Sequence, residues 1–227
     1  MIALHYPITG KTKPADRSAP RDPLGEIGYI RLLGRHAWME LPKTVRNRFG
    51  KKLRPGESKI YCGQTVETRR NLFGGALTHL LRFAGAPLPL EQQNGGQAAI
   101  VSVTESKDGK GQYWSRQYNR KRGFPQIIQS AKTFTGPTGL EEMVNPFIGM
   151  TLWLLIEDGA LLFVCDRYFL KFGRIRLFLP RWLTGGLTVG HHDRGDNSFD
   201  FTLDLTHKLF GHFLHQRIRF YDTETVQ

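Results

Sequence analysis

Residues 149–169 read GMTLWLLIE-DG-ALLFVCDRYF. Two runs rich in β-branched, aromatic and large aliphatic side chains flank Asp158-Gly159. A two-residue Asp-Gly connection supplies the positive φ angles that a tight hairpin turn needs, so the stretch is read as two antiparallel strands, Gly149 to Glu157 and Ala160 to Phe169. Downstream, Phe199, Phe201, Leu203 and Leu205 alternate with Asp200, Thr202, Asp204 and Thr206. A period of two with one apolar and one polar face predicts a half-buried strand. Gly211 then precedes a last strand running through Ile218 and Phe220, and the segment from Gly173 to Leu187, which contains Pro180, is less regular.

Upstream the same period holds back to about residue 97. Ala98 to Glu105 and Tyr113 to Tyr118 are strands joined by a turn at Asp108-Gly109; Phe124 to Phe134 is a third, and Leu140 to Val144 pairs again after a Thr135–Gly139 loop. Before residue 97 the pattern is helical. Tyr29, Ile30, Leu32 and Leu33 form a short helix ending at Gly34. Pro42 suits the start of another, in which Val45 and Phe49 share a face, and Gly50 ends it. Ser58 to Thr68 is extended, with Gly63 marking a bulge or a close approach. Asn71 caps a helix over residues 72–84, whose Phe73, Leu77, Leu80, Leu81 and Ala84 make one apolar face, stopped by Gly85 and Pro87.

The expected fold is therefore α+β: short N-terminal helices, then about 8–10 strands of a strongly curved antiparallel sheet, half-barrel or barrel-like. Curling is how such a sheet manages its edges, and long strands with mixed inward residues leave a cavity. Residues 7–25, with four prolines, place 1–26 as a flexible polar leader, and 27–227 as a single domain.

The 227 residues carry a net charge of +12. Residues 1–54 hold twelve Lys or Arg against four Asp or Glu, whereas residues 146–227 are balanced, nine against nine. A basic segment invites nucleic acid or an anionic membrane as partner. A solvated basic surface explains it more simply, since no dense basic run exists beyond Arg120-Lys121-Arg122. No apolar run reaches membrane-span length and no secretory signal is visible, so the cytoplasm is the default location.

Motifs of known chemistry are missing. Gly74-Gly75 lacks the Lys-Ser/Thr of a phosphate loop, Gly185-Gly186 lacks a dinucleotide-site context, and there is no nucleophile elbow or His-Glu-x-x-His sequence. His191-His192-Asp193, with His207, His212 and His215 nearby, is read as a surface turn with scattered histidines. Cys62 and Cys165 are read as buried small hydrophobes. No metal or cofactor is expected. Glu141 and Glu142 face opposite sides of a strand, one of them toward solvent. Residues 173–183 mix Ile, Leu, Phe and Trp182 with three arginines, as either an irregular strand or an amphipathic rim over a barrel mouth that could touch a membrane.

Trp114, Arg116 and Tyr118 share one strand face. If that face is inward, Arg116 must be paired with an acid such as Glu142 or must meet an anionic ligand. Its planar fork suits a carboxylate or phosphate.

Several segments together resemble the domain of unknown function family 4166: Leu33-Gly34, Leu41-Pro42, Val45-Arg46 with Arg48-Phe49, the strand holding Gly63, the helix Leu72–Leu81, Trp114-x-Arg116-x-Tyr118, Leu140 with Glu142, the Asp158-Gly159 hairpin, Gly173, Leu179-Pro180, and Phe199-Asp200-Phe201. Asn145-Pro146 stands where Gly-Pro is expected, and His207-Lys208 replaces a Pro/Gly-rich turn. The resemblance spans roughly residues 30–222. It implies no settled activity; similar domains occur alone or appended to oxidoreductase-like proteins that use a nicotinamide. The first expectation is a non-catalytic module binding a small apolar or amphipathic ligand, with Trp114, Arg116, Tyr118 and Glu142 as ligand-binding residues. An enzyme or accessory domain working with an oxidoreductase partner is the alternative, and a basic-surface binder of nucleic acid or anionic membrane comes third.

Overall fold

The structure, a computed structural model, describes residues 28–51, 53–92, 95–136 and 139–222. The 1–26 leader expected from the sequence lies outside the described residues. Three short helices come first: α1 (Gly28–Leu33), α2 (Arg35–Glu40) and α3 (Lys43–Gly50). Pro42 is the N-cap of α3, not a residue inside it. Helix α2 has no counterpart in the sequence reading; at Gly34 a φ of 81° turns the chain between α1 and α2.

Strands β1 (Ser58–Arg70), β2 (Ala98–Glu105), β3 (Gly111–Tyr118), β4 (Gln126–Gly136), β5 (Gly139–Met143), β6 (Ile148–Glu157) and β7 (Ala160–Phe172) follow, with helix α4 (Leu72–Phe83) between the first two. Then come β8 (Ile175–Phe178), helix α5 (Arg181–Thr184), β9 (Gly186–Asp193), β10 (Ser198–His207) and β11 (Gly211–Tyr221). The architecture is predominantly β. The strands run β6-β5-β4-β3-β2-β1-β11-β10-β9-β7, and β7 pairs back onto β6, so ten strands close into an antiparallel barrel. The eleventh, β8, adds to the C-terminal half of β7, while the N-terminal half of β7 pairs with β9. This fork lies at the segment that read as irregular from sequence.

Asp158 and Gly159 take φ angles of 49° and 75°, as the two-residue hairpin requires. Extra residues at Val66, Asp166 and Phe213 break the pairing register and bend their strands. Gly63 is a close approach: a Cβ there would stand 2.0 Å from the Arg219 carbonyl oxygen on the neighbouring strand. Beneath β10's alternation, Phe199, Phe201 and Leu205 are buried inside. Its outer face is drier than predicted. Asp200 is also buried, held by Arg219 at 2.9 Å.

One end of the barrel is plugged by α1 and α3. Tyr29 packs edge-on against Phe49, Phe134 and Phe163. Arg48 fastens the plug, reaching Asp193 at 2.9 Å and also Asp222, with its guanidinium 4.4 Å over the Phe199 ring. Arg48 sits in the most basic part of the chain, yet its side chain is internal and paired. Part of the apparent basic surface is therefore core.

Candidate functional site

Helix α4 lies over the other end. Asn71 caps it by accepting from the Gly74 N–H at 2.7 Å, and Asn71 Nδ2 donates to the Phe210 carbonyl at 3.0 Å. The helix sits on the barrel through its small residues. Gly74 and Thr78 are buried, and a Cβ on Gly74 would come within 1.9 Å of the Phe213 carbonyl oxygen. The apolar face read from the sequence is not what seats it. Phe73, Leu77, Leu80 and Leu81 line a cavity of about 640 Å³ inside the barrel mouth. The segment Ala86–Pro89, Leu183 of α5, and Phe210 and Phe213 complete its rim. Asn145, which departs from the family pattern, ties this rim down: its Nδ2 donates to the Ala84 carbonyl at 2.8 Å.

The deep wall is made by strands. Ile128, Val144, Met150, Leu187, Val189, Phe201 and Leu203 give it an apolar lining, and Arg116, Tyr118, Ser130 and Glu142 give it a polar floor. Trp114, Arg116 and Tyr118 do share one face of β3, as period two predicts; that face is the inward one, and all three are buried. Arg116, Tyr118 and Glu142 border the large cavity. Trp114 does not; it borders a separate small chamber of about 40 Å³ toward the plugged end, whose walls also include Arg116, Tyr118 and Phe201.

The floor is a compact ionic cluster. Arg116 Nη2 lies 3.5 Å from Glu142 Oε1, and Arg116 Nη1 donates to Ser130 Oγ at 3.1 Å. The Ser130 hydroxyl in turn donates a hydrogen bond to Glu142 Oε1 at 2.6 Å. Lys132 Nζ takes the other oxygen, Oε2, at 3.1 Å, directly across the β4–β5 pairing. Two cations therefore share one carboxylate. Trp114 supports both with its ring face, 4.2 Å from Lys132 Nζ and 5.5 Å from the Arg116 guanidinium carbon. Arg116 Nε finds no acceptor among the described residues.

Burial pushes the Glu142 carboxyl up, but the charges of Lys132 and Arg116 and the Ser130 hydroxyl outweigh it and hold the group down at about 2. Burial and the Arg116 charge lower the Lys132 ammonium to about 8, against the pull of Glu142. Burial raises the Tyr118 phenol to about 12 although Arg116 opposes it. At neutral pH Glu142 is therefore an ionised carboxylate on the cavity floor, and Lys132, which pairs with it without lining the cavity, carries an ammonium close to its titration range.

Ser130 and Lys132 escaped the sequence reading. They share the inward face of β4 with Ile128 and Phe134, but on a strand whose two faces are both of mixed polarity no alternation singles them out. Glu141 was expected to be the solvent-facing member of its pair if Glu142 turned inward. It is buried on the outer side, because Arg176 of β8 covers it at 2.9 Å. His191 is no surface-turn residue either. It lies in β9, packed among Phe49, Trp114, Phe163, Phe199 and Phe201, and desolvation together with the Lys132, Arg48 and Arg116 charges drives its imidazole well below the ordinary value. His192 turns away and meets Thr202. Cys62 is exposed on β1, contrary to expectation, and Cys165 is half-buried with its thiol pushed up to about 12 by burial. Among the described residues no group of three or more His, Cys, Asp or Glu is placed to hold a metal ion.

The fold and site define a closed antiparallel barrel with an apolar cavity ending on a buried ionic floor. The chain belongs to the family described as a domain of unknown function, DUF4166, whose model matches residues 41–220. No curated protein and no solved structure matches it.

Proposed function

We propose that this barrel binds an amphipathic acid, with the apolar body in the 640 Å³ cavity and the acidic head on the Arg116 floor. The volume lies within the roughly 300–1,000 Å³ of pockets that enclose small ligands. The observation that carries the reading is the pairing at the floor: Arg116 and Lys132 divide a single carboxylate between them at the inner end of an apolar cavity. A second carboxylate arriving there completes the pairing of the guanidinium, while its chain meets Leu, Ile, Val and Phe side chains. Tyr118 and Ser130 add hydroxyls at the same depth. The Ser130 hydroxyl does meet the Glu142 carboxylate, but two cations hold that carboxylate at about 2, too weak a base to activate a hydroxyl, so the reading is of a binding module.

The test is a titration of the full chain with a long-chain carboxylic acid and with the matching uncharged alcohol. The acid binds more tightly than the alcohol by on the order of tenfold to a hundredfold, the usual worth of a charge-assisted hydrogen bond. Arg116→Gln removes that preference and leaves alcohol binding in place. Equal affinities for acid and alcohol in the parent protein, or a preference that survives Arg116→Gln, would sink the assignment of the head group to this floor. Native mass spectrometry of freshly purified protein, before and after denaturing extraction, identifies any ligand carried through purification.

A further inference from the structure

Three segments frame the cavity mouth: α4, α5 and the turn joining β10 to β11. They touch one another. The Phe73 and Phe210 rings are 4.7 Å apart, Asn71 Nδ2 donates to the Phe210 carbonyl, and a His207 ring nitrogen lies 2.9 Å from the Trp182 carbonyl oxygen. Some of their apolar side chains turn into the cavity. Others stand outward: Leu72 is 92% exposed, Phe83 91%, Leu209 80% and Trp182 73%. Single exposed apolar residues are ordinary on a protein surface, but a contiguous collar of large ones around an opening is not.

The charges of this collar have one sign. Residues 71–84, 180–185 and 207–213 contain Arg82, Arg181 and Lys208 and no Asp or Glu. Arg181 is paired with Asp166 of β7, which leaves Arg82 and Lys208 as the collar's cations without an acidic partner among the described residues. Outward Leu, Phe and Trp set among Arg and Lys suit the boundary between lipid headgroups and acyl chains. A protein seated on the collar would seal the mouth, whereas a bilayer opens it onto a reservoir of amphiphiles.

We infer that the collar docks on an anionic bilayer surface and that the cavity loads and unloads through it. The docking stands on the collar alone; the loading rests on the ligand reading above. In this arrangement the chain meets the bilayer by its barrel end; no helix among the described residues is long and apolar enough to span a membrane.

The experiment is co-sedimentation of the full chain with vesicles of phosphatidylcholine, with and without phosphatidylglycerol, at low and physiological salt, read together with tryptophan emission. The protein sediments with the anionic vesicles, less so as salt rises, and the emission shifts to the blue as Trp182 leaves water. The combined variant Leu72→Ser, Phe83→Ser, Trp182→Ser loses binding by on the order of a hundredfold, because interfacial affinity scales with buried apolar area. These side chains are exposed, so its melting curve matches the parent. Lys208→Glu with Arg82→Glu removes the preference for phosphatidylglycerol. Arg116→Gln still sediments, which separates a failure of docking from a failure of ligand binding. Absence of sedimentation with either vesicle overturns the inference, as does sedimentation that the triple serine variant leaves unchanged. A protein that ignores vesicles but forms a dimer broken by the triple variant assigns the collar to a second copy instead.

Discussion

Replacing Glu142 by Gln tests the floor of the cavity directly. The substitution keeps the shape and removes the charge, leaving Arg116 and Lys132 buried without their shared partner. Two estimates of the effect agree. Removing one member of a buried ion pair costs about 3–5 kcal/mol. Independently, the hold on the Glu142 carboxyl, from 4.5 to about 2, corresponds to about 3 kcal/mol. The expected loss of stability at pH 7 is thus about 3 kcal/mol, or a fall in Tm of about 6–12 °C for a chain of this size. Lys132 limits the loss. Its folded value is about 8, below the ordinary 10.5, so the unfolded chain binds more protons between these values and stability rises with pH there. Without Glu142 the value falls further, and in the variant the rise begins at lower pH. Urea unfolding from pH 6 to pH 9 reads both effects. A variant within about 0.5 kcal/mol of the parent at pH 7, with the same pH dependence, would refute the reasoning that one carboxylate compensates two buried cations.

Four further outcomes are expected. In acid, the parent loses the Glu142 contribution as pH falls from 4.5 toward 2, because a carboxyl depressed by folding stabilises only while ionised; Glu142→Gln flattens this limb of the stability–pH curve. His191 stays neutral in the fold and takes a proton only when unfolded, so below about pH 6.5 it costs up to about 1.4 kcal/mol per pH unit; His191→Leu removes that slope in urea titrations between pH 5 and pH 7. Gly74→Ala forces α4 off the Phe213 carbonyl and lowers stability by about 1–3 kcal/mol, seen as an earlier melting transition together with altered cavity binding. Asn71→Ala removes the α4 cap, costs about 1 kcal/mol, and speeds amide exchange in α4 more than in the barrel strands.

Much of the barrel was legible because strands announce themselves locally. The Asp158-Gly159 turn, the alternation through β10 and the common face of Trp114, Arg116 and Tyr118 each follow from a few adjacent residues. Ring closure is a long-range event, and no local pattern says that β7 will pair with β6 on one side and divide the other between β9 and β8. The same gap explains the errors in burial. Glu141 is dry because Arg176 arrives from 35 positions away, and His191 is in the core because α3 brings Phe49 onto it. Helix α4 was found with its cap and its apolar face, but not what that face meets. Its apolar periodicity is real, but that face meets a cavity, and the helix is seated by Gly74 and Thr78, the small residues a search for hydrophobic stripes passes over.

The seam between β1 and β11 bears on how the barrel is made. Cys62 lies opposite Tyr221 and Arg70 opposite Leu214, so β1, the first strand among the described residues, finds one of its two neighbours only in β11, about 150 positions on. Everything between must be in hand before the ring can shut, and contacts so distant along the chain make for slow folding. During that wait β1 has β2 on one side and a bare row of backbone groups on the other, the kind of edge that recruits foreign strands. Its outward-facing Cys62 spends the same interval on an open edge. The seam is therefore where crowding during synthesis, or a deletion that removes β11, would leave the barrel open.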